Sequence, residues 1–336
     1  MSNANEVSKR LEDAARKETL QSAVRNYALL AVLLLMCVIM SIVSPTFLTF
    51  RNIINIFRQI SINGILAVGM TLVIILGGID ISIGSLAAVA GVVAAMVMEQ
   101  HPNLAPVAIV LGIASCAVLG AVTGFLVSKF KIAPFIATLA MMTVARGLAL
   151  VIADGIPHTI RNPFYVSLGN GYVWNTATID TLNLPIPVLL LAVVVFVIAV
   201  MLYKTRFGRY IFAVGGNENA ARVSGVSVDA IKFWTFVING VLCGIAGVVL
   251  SARITSGQPA AASGYELDAI AAAVIGGASL AGGAGKISGT IIGALIIGVL
   301  NNGLVLLGAS SYSQQIIKGV IIAGAVILDQ RTKIKR

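Results

Sequence analysis

The sequence predicts an all-α polytopic membrane protein, a bundle of about ten transmembrane helices, some of them short or broken. Three observations carry this. Of 336 residues, 58% are hydrophobic and only 11% are charged, against about 25% charged in a soluble domain. Apolar runs of about 20 residues recur along the chain, the length that crosses a hydrocarbon core of about 30 Å. Lys and Arg concentrate in alternate connections, as the positive-inside rule requires. The mean hydropathy of +0.98 leaves no soluble interior large enough to hide the apolar surface. A cytosolic enzyme, a nucleic-acid binder and a secreted disulfide scaffold are excluded on these grounds. The net charge of +10 reads instead as an orientation signal and an attraction to anionic membrane lipid.

In chain order, residues 1–26 are polar and of mixed charge, and no small-residue cleavage site follows the first apolar run. A cytoplasmic tail, partly helical or disordered, is expected there. Spans are expected at 27–43, 60–76, 85–98, 105–127, 134–152, 187–203, 233–252, 267–282, 288–308 and 314–328. The second, third, eighth and tenth are short for a bilayer. Residues 27–328 thus form the membrane domain, 204–232 its main cytoplasmic loop, and 329–336 a basic cytoplasmic tail. With the N-terminus inside, 17 of the 23 Lys and Arg residues fall in the tails, in 128–133, in 204–232 and at Lys286. Arg51, Arg58, Arg161 and Arg253 fall outside, with Arg146 and Lys318 near outer span ends. Both termini are therefore expected in the cytoplasm. The longest outer loop, 153–186, carries Pro157, Pro163, Pro185, Tyr172 and Trp174, and suits either the headgroup layer or an external partner.

Two segments depart from the apolar pattern. One is Gly77–Ser85, between the second and third spans; the other is Gly276–Lys286, between the eighth and ninth. Each joins flexible backbone to hydroxyl groups after a short apolar helix. Such breaks persist at membrane depth only where protein or a water-filled cavity satisfies them, and paired breaks mark pathways in transporters. Two cytoplasmic turns are the plainer alternative. Glycines at four-residue spacing, Gly120 with Gly124, Gly240 with Gly244 and Gly289 with Gly293, fit close helix packing.

Polar side chains inside spans are costly and are functional candidates by default. They are Asn63, Asp80, Arg146, Asn239, Glu266, Asp268, Asn301, Asn302 and Lys318. Asp80, Glu266 and Asp268 are placed near span ends, within reach of water. The neutral amides suit an uncharged polyol better than an ion. Catalytic and metal-binding patterns are lacking: His101 and His158 are far apart, and Cys37, Cys116 and Cys243 read as small buried hydrophobes. Gly282–Ser288 is not a phosphate-binding loop, because Leu280 stands where that motif needs Gly and Ile287 where it needs Ser or Thr.

In the 204–232 loop, Gly215 and Gly216 break one segment. Asn217 then caps a short helix with Glu218 in its first turn, and Gly225 ends it. Such an element suits docking of an inner-face partner or a simple rest at the headgroups.

This loop resembles the permease subunits of ribose-type sugar ABC importers, in the branched-chain amino acid/ribose permease superfamily. The matching motifs are Thr205–Arg209, Gly215–Asn217 and Ser224–Gly225. Further matches are Gly69–Thr71 with Gly78–Ser85, Pro134–Leu139, Gly264–Ala271 with the glycine pairs at 276–277 and 282–283, and Asn301–Leu304. The likeness runs over about 27–328 and is specific for the family, not for the sugar. It implies a type II importer fold in a bacterial inner membrane and a transport subunit that is not itself an enzyme. It implies a homo- or heterodimer of permease chains and a periplasmic or lipid-anchored sugar-binding protein. It also implies separate ATPase subunits that hold ATP and Mg, with no cofactor in this chain. On this resemblance Gly216, Asn217, Glu218, Ala221 and Gly225 would dock the ATPase, and Asn63, Asp80, Thr138, Tyr265, Asn301 and Asn302 would line the pathway.

Other readings are another small polar cargo, including a sugar-like signal molecule, an ion-coupled carrier built on Asp80, or a membrane scaffold. The number of intramembrane polar groups disfavours the scaffold.

Overall fold

The computed structural model describes residues 27, 29–174 and 183–334. The expected tail at 1–26, part of the outer loop, and Lys335 and Arg336 lie outside the described residues. The helices are α1 (Leu29–Val43), α2 (Phe50–Ile75), α3 (Ile83–Gln100), α4 (Ala105–Lys129) and α5 (Pro134–Ile152). They continue with α6 (Pro163–Asn170), α7 (Ile186–Lys204), α8 (Arg206–Gly216), α9 (Glu218–Val223) and α10 (Val228–Ile254). The last three are α11 (Tyr265–Ile275), α12 (Ile287–Leu306) and α13 (Ser311–Ile334). Two short strands, β1 (His158–Thr159) and β2 (Ser256–Gly257), pair antiparallel as a clip, His158 opposite Gly257.

Among the described residues, seven helices are long and apolar enough to cross a membrane: α2, α3, α4, α5, α7, α10 and α12. The chain is a polytopic helical bundle, as expected. The second span is not short. Its helix begins at Phe50, because Arg51, Asn52, Asn55 and Arg58 sit on its first turns and hide it from a hydropathy reading. The third also lengthens at both ends, to Ile83–Gln100. The eighth is corrected the other way. α11 has 11 residues, about 16 Å of rise, so it is a half-helix and Gly276–Gly282 is no part of it. α13 runs on to Ile334, past the expected end at 328, so residues 329–334 are helical backbone.

Burial sorts the helices by depth. Of the most apolar stretch of α2, 89% is buried, against 28% for α4 and α5 and 22% for α7. α2 is therefore the axis of the bundle, and α4, α5 and α7 turn much of their surface outward. Apolar burial drives little association inside a bilayer, so close backbone contact has to supply it. α4 and α10 show how: a Cβ on Gly120 would stand 2.6 Å from the Phe236 carbonyl oxygen, and one on Gly240 2.5 Å from that of Cys116.

The two glycine breaks prove to be the same motif. α2 ends with Gly77 at φ +93°, Gly77 N–H donating to Ile74 O and Gly78 N–H to Val73 O. α11 ends with Gly277 at φ +90°, Gly277 N–H donating to Val274 O and Ala278 N–H to Ala273 O. Both are Schellman caps, which need a residue free to adopt the left-handed region.

Candidate translocation and coupling sites

The short helix of the 204–232 loop is built as its sequence dictates. Asn217 Oδ1 accepts from Ala220 N–H at 2.9 Å and caps α9, and Gly225 at φ +83° closes it. One detail differs: Gly215 and Gly216 form the last turn of α8, and the break falls at Asn217. Glu218 Oε2 accepts from Lys232 Nζ at 2.6 Å, and Glu218 Oε1 from Arg222 at 3.3 Å. Arg222 also reaches Asp229 at 3.3 Å, and Asp229 pairs with Lys131 of the preceding connection. The hydrogen bond from Lys232 holds the Glu218 carboxyl below its ordinary range. Gly216, Asn217 and Gly225 are exposed, whereas Ala221 is buried against its own chain. Val223, 89% exposed, was not singled out by sequence reasoning. A lone apolar residue in a short polar helix was the available signal.

Behind this element three glycine segments meet. Gly283 N–H donates to Ile75 O at 2.8 Å, tying the second break to the end of α2. A Cβ on Gly215 would stand 1.8 Å from Ile75 O, and one on Gly282 3.0 Å from the Cα of Gly77. A Cβ on Gly283 would stand 2.8 Å from the Cα of Gly216. The end of α8 is thus seated directly on both breaks, an arrangement called the glycine clasp below. Tyr203 of α7 adds a side-chain link, its hydroxyl accepting from Ile287 N–H at 2.9 Å.

The expected pathway residues separate into three groups. Asp80 is 1% exposed, which corrects its placement within reach of water. Its Oδ1 accepts from Ser82 N–H at 2.9 Å and Ser82 Oγ at 2.5 Å, and its Oδ2 from Asn239 Nδ2 at 2.7 Å. Thr138 Oγ1 donates to Ile79 O at 3.2 Å and accepts from Ile81 N–H at 3.4 Å, fastening α5 to the same break. This pair therefore organises the turn between α2 and α3.

Asn63 and Asn301 belong to a second group. Both turn Nδ2 to Asp268 Oδ2, at 3.5 and 3.1 Å, and Lys318 Nζ lies 3.0 Å from the same carboxylate. Asp268 is 2% exposed, again deeper than the sequence placed it. The Oδ1 atoms of Asn63 and Asn301 have no hydrogen-bond partner among the described residues. A buried polar atom left so costs about 1–3 kcal/mol. Tyr265 is the first residue of α11, one turn before Asp268. The roles of Asp268 and Lys318 were not assigned from sequence, because their neighbours lie on four different helices.

Asn302 forms the third group. It exchanges a reciprocal amide pair with Asn52, at 2.8 and 3.0 Å. Asn52 faces a cavity of about 570 Å³, lined also by Thr46, Thr49, Arg51, Asn55 and Arg58. It lies at the end of α2 opposite the clasp. Arg58 donates to Asn170 O at 2.5 Å and lies 4.8 Å over the Tyr172 ring, drawing the 153–186 loop onto α2. Among the described residues no group of three or more His, Cys, Asp or Glu side chains is placed to hold a metal.

A bundle of apolar membrane-length helices with paired glycine breaks, buried polar clusters and a capped surface helix has the architecture of a transport permease. Residues 52–326 match the family model described as branched-chain amino acid transport system / permease component, and the chain belongs to that family. It is 48% identical over 302 residues to the ribose import permease protein RbsC of Escherichia coli K12, covering 90% of this chain and 92% of the relative. It is 47% identical to the ribose import permease protein RbsC of Bacillus subtilis, covering 89% and 91%. It is 38% identical to the L-arabinose transport system permease protein AraH of E. coli K12, covering 93% and 92%. No solved structure matches the chain.

Proposed function

We propose that this chain is the membrane-spanning subunit of an ATP-driven importer that carries ribose, or a closely related pentose, across the bacterial inner membrane. The observation that carries the proposal is the glycine clasp, found in a chain with two ribose permease relatives near half identity. Both termini lie in the cytoplasm in this reading, with α8 and α9 on the cytoplasmic side, as the Lys and Arg distribution supports. A separate ATPase subunit, which binds ATP and Mg, docks on the exposed Gly216, Asn217, Val223 and Gly225 and the half-buried Glu218. Its closure displaces α9, and the rigid α8 end transmits the displacement to both Schellman turns together. Those turns are the places where α2 and α11 stop, so one input re-aims the helices that carry Asn63 and Asp268. An external binding protein delivers sugar at the opposite face, where the cavity beside Asn52 and Asn302 opens, and a second permease chain completes the pathway.

The test is recovery of partners from native membranes in mild detergent. Co-purification of an ATPase subunit with the tagged chain, lost on Glu218→Lys, is the expected result. Recovery of the chain alone, repeated after cross-linking, would contradict it.

A further inference from the structure

We infer that Asp268, Lys318, Asn63 and Asn301 form an intramembrane subsite that accepts hydroxyl groups of an uncharged polyol. The inference rests on the importer reading above and names the groups that would meet the cargo inside the bundle.

The argument starts from the carboxylate. An ionised carboxylate only accepts hydrogen bonds, so an amide beside it must turn its NH₂ end inward. Asn63 and Asn301 do so, at 3.5 and 3.1 Å from Asp268 Oδ2. That fixes which end of each amide is left over. Both leftover Oδ1 atoms are buried and unpartnered, on side chains 5% and 3% exposed. Lys318, 3.0 Å from Asp268, balances the charge. The cluster therefore offers two acceptors and no net charge. An anion finds no donor at those oxygens, and a cation meets a carboxylate already neutralised. A neutral molecule with several O–H donors matches. The four groups come from α2, α11, α12 and α13; α2 ends at the clasp, and α11 leads into the break whose Gly282 and Gly283 reach it. Asn239 Oδ1, also unpartnered, differs in kind: a Cβ on Gly69 would stand 2.2 Å from it, so backbone covers it.

The experiment uses the assembled transporter in proteoliposomes, with binding protein saturated either by ribose or by a deoxy analogue that it still loads. Asn63→Leu and Asn301→Leu should lower ribose uptake about tenfold, the weight of a buried hydrogen bond. Uptake of an analogue lacking the paired hydroxyl should fall less than about twofold. An equal fall for both sugars would make the asparagines packing groups, and no fall would leave only water at the oxygens; either overturns the subsite. A second measurement does not need ATP-driven uptake. In Asn301→Cys, ribose should slow thiol labelling above the background of Cys37, Cys116 and Cys243, and labelling indifferent to ribose would also overturn it. Absence of ATP-driven uptake by the unmutated assembly would count against the importer reading instead, and the labelling result would then decide the subsite alone.

Discussion

Single side chains decide two features. Lys318 is the cation that balances Asp268 inside the bundle. Lys318→Met leaves a buried carboxylate unpaired and should lower stability by about 3–5 kcal/mol. Asp268→Asn added to it should restore most of the loss, because no buried charge then remains. Thermal unfolding of the purified chain in detergent checks both. At α9, Lys232 holds the Glu218 carboxyl below its ordinary value of 4.5. A depressed carboxyl contributes stability above its unfolded pKa and loses it as pH falls through the folded one. Docking of the proposed ATPase subunit should therefore be indifferent to pH near neutrality and weaken only below pH 4.5. A docking titration that moves between about pH 6 and 8 would be inconsistent with this assignment. The Asn217 cap was legible in the sequence, because a cap involves residues three apart. The Asp268 cluster was not, because Asn63 and Lys318 reach it from other helices and nothing local marks the meeting.

Elements matter most where they stop. Gly215→Ala puts a methyl 1.8 Å from Ile75 O, whereas a methyl on neighbouring Gly216 meets nothing within 4 Å. Gly215→Ala should abolish uptake while the ATPase subunits still hydrolyse, and Gly216→Ala, which meets no neighbour within this chain, should lower uptake far less. Parallel uptake and hydrolysis assays separate the two, and equal effects would contradict the clasp. The sequence marked both breaks as unusual but left them open between turns and pathway, since each reads locally as flexible chain. Their shared cap geometry, and the seating of α8 on both, are long-range facts. The misjudged ends of α2 and α11 have the same physical root. Hydropathy detects apolar length, but polar first turns that face a cavity shorten a helix on paper, and a glycine-rich turn lengthens one.

At the scale of the whole molecule, composition alone was enough to give a membrane bundle, and seven full-length apolar helices agree with it. The described architecture has a buried axis in α2, with polar clusters beside it and α4, α5 and α7 facing outward. One end carries the clasp and α9; the other carries the cavity of about 570 Å³. That polarity is what a machine driven from one face and loaded from the other requires. The most direct test is sugar uptake into sealed proteoliposomes that hold this chain with an ATPase subunit and a binding protein. The account predicts ribose accumulation that requires ATP on the face bearing α8 and α9 and survives collapse of proton and sodium gradients. Accumulation that persists without ATP and stops when those gradients collapse would contradict it.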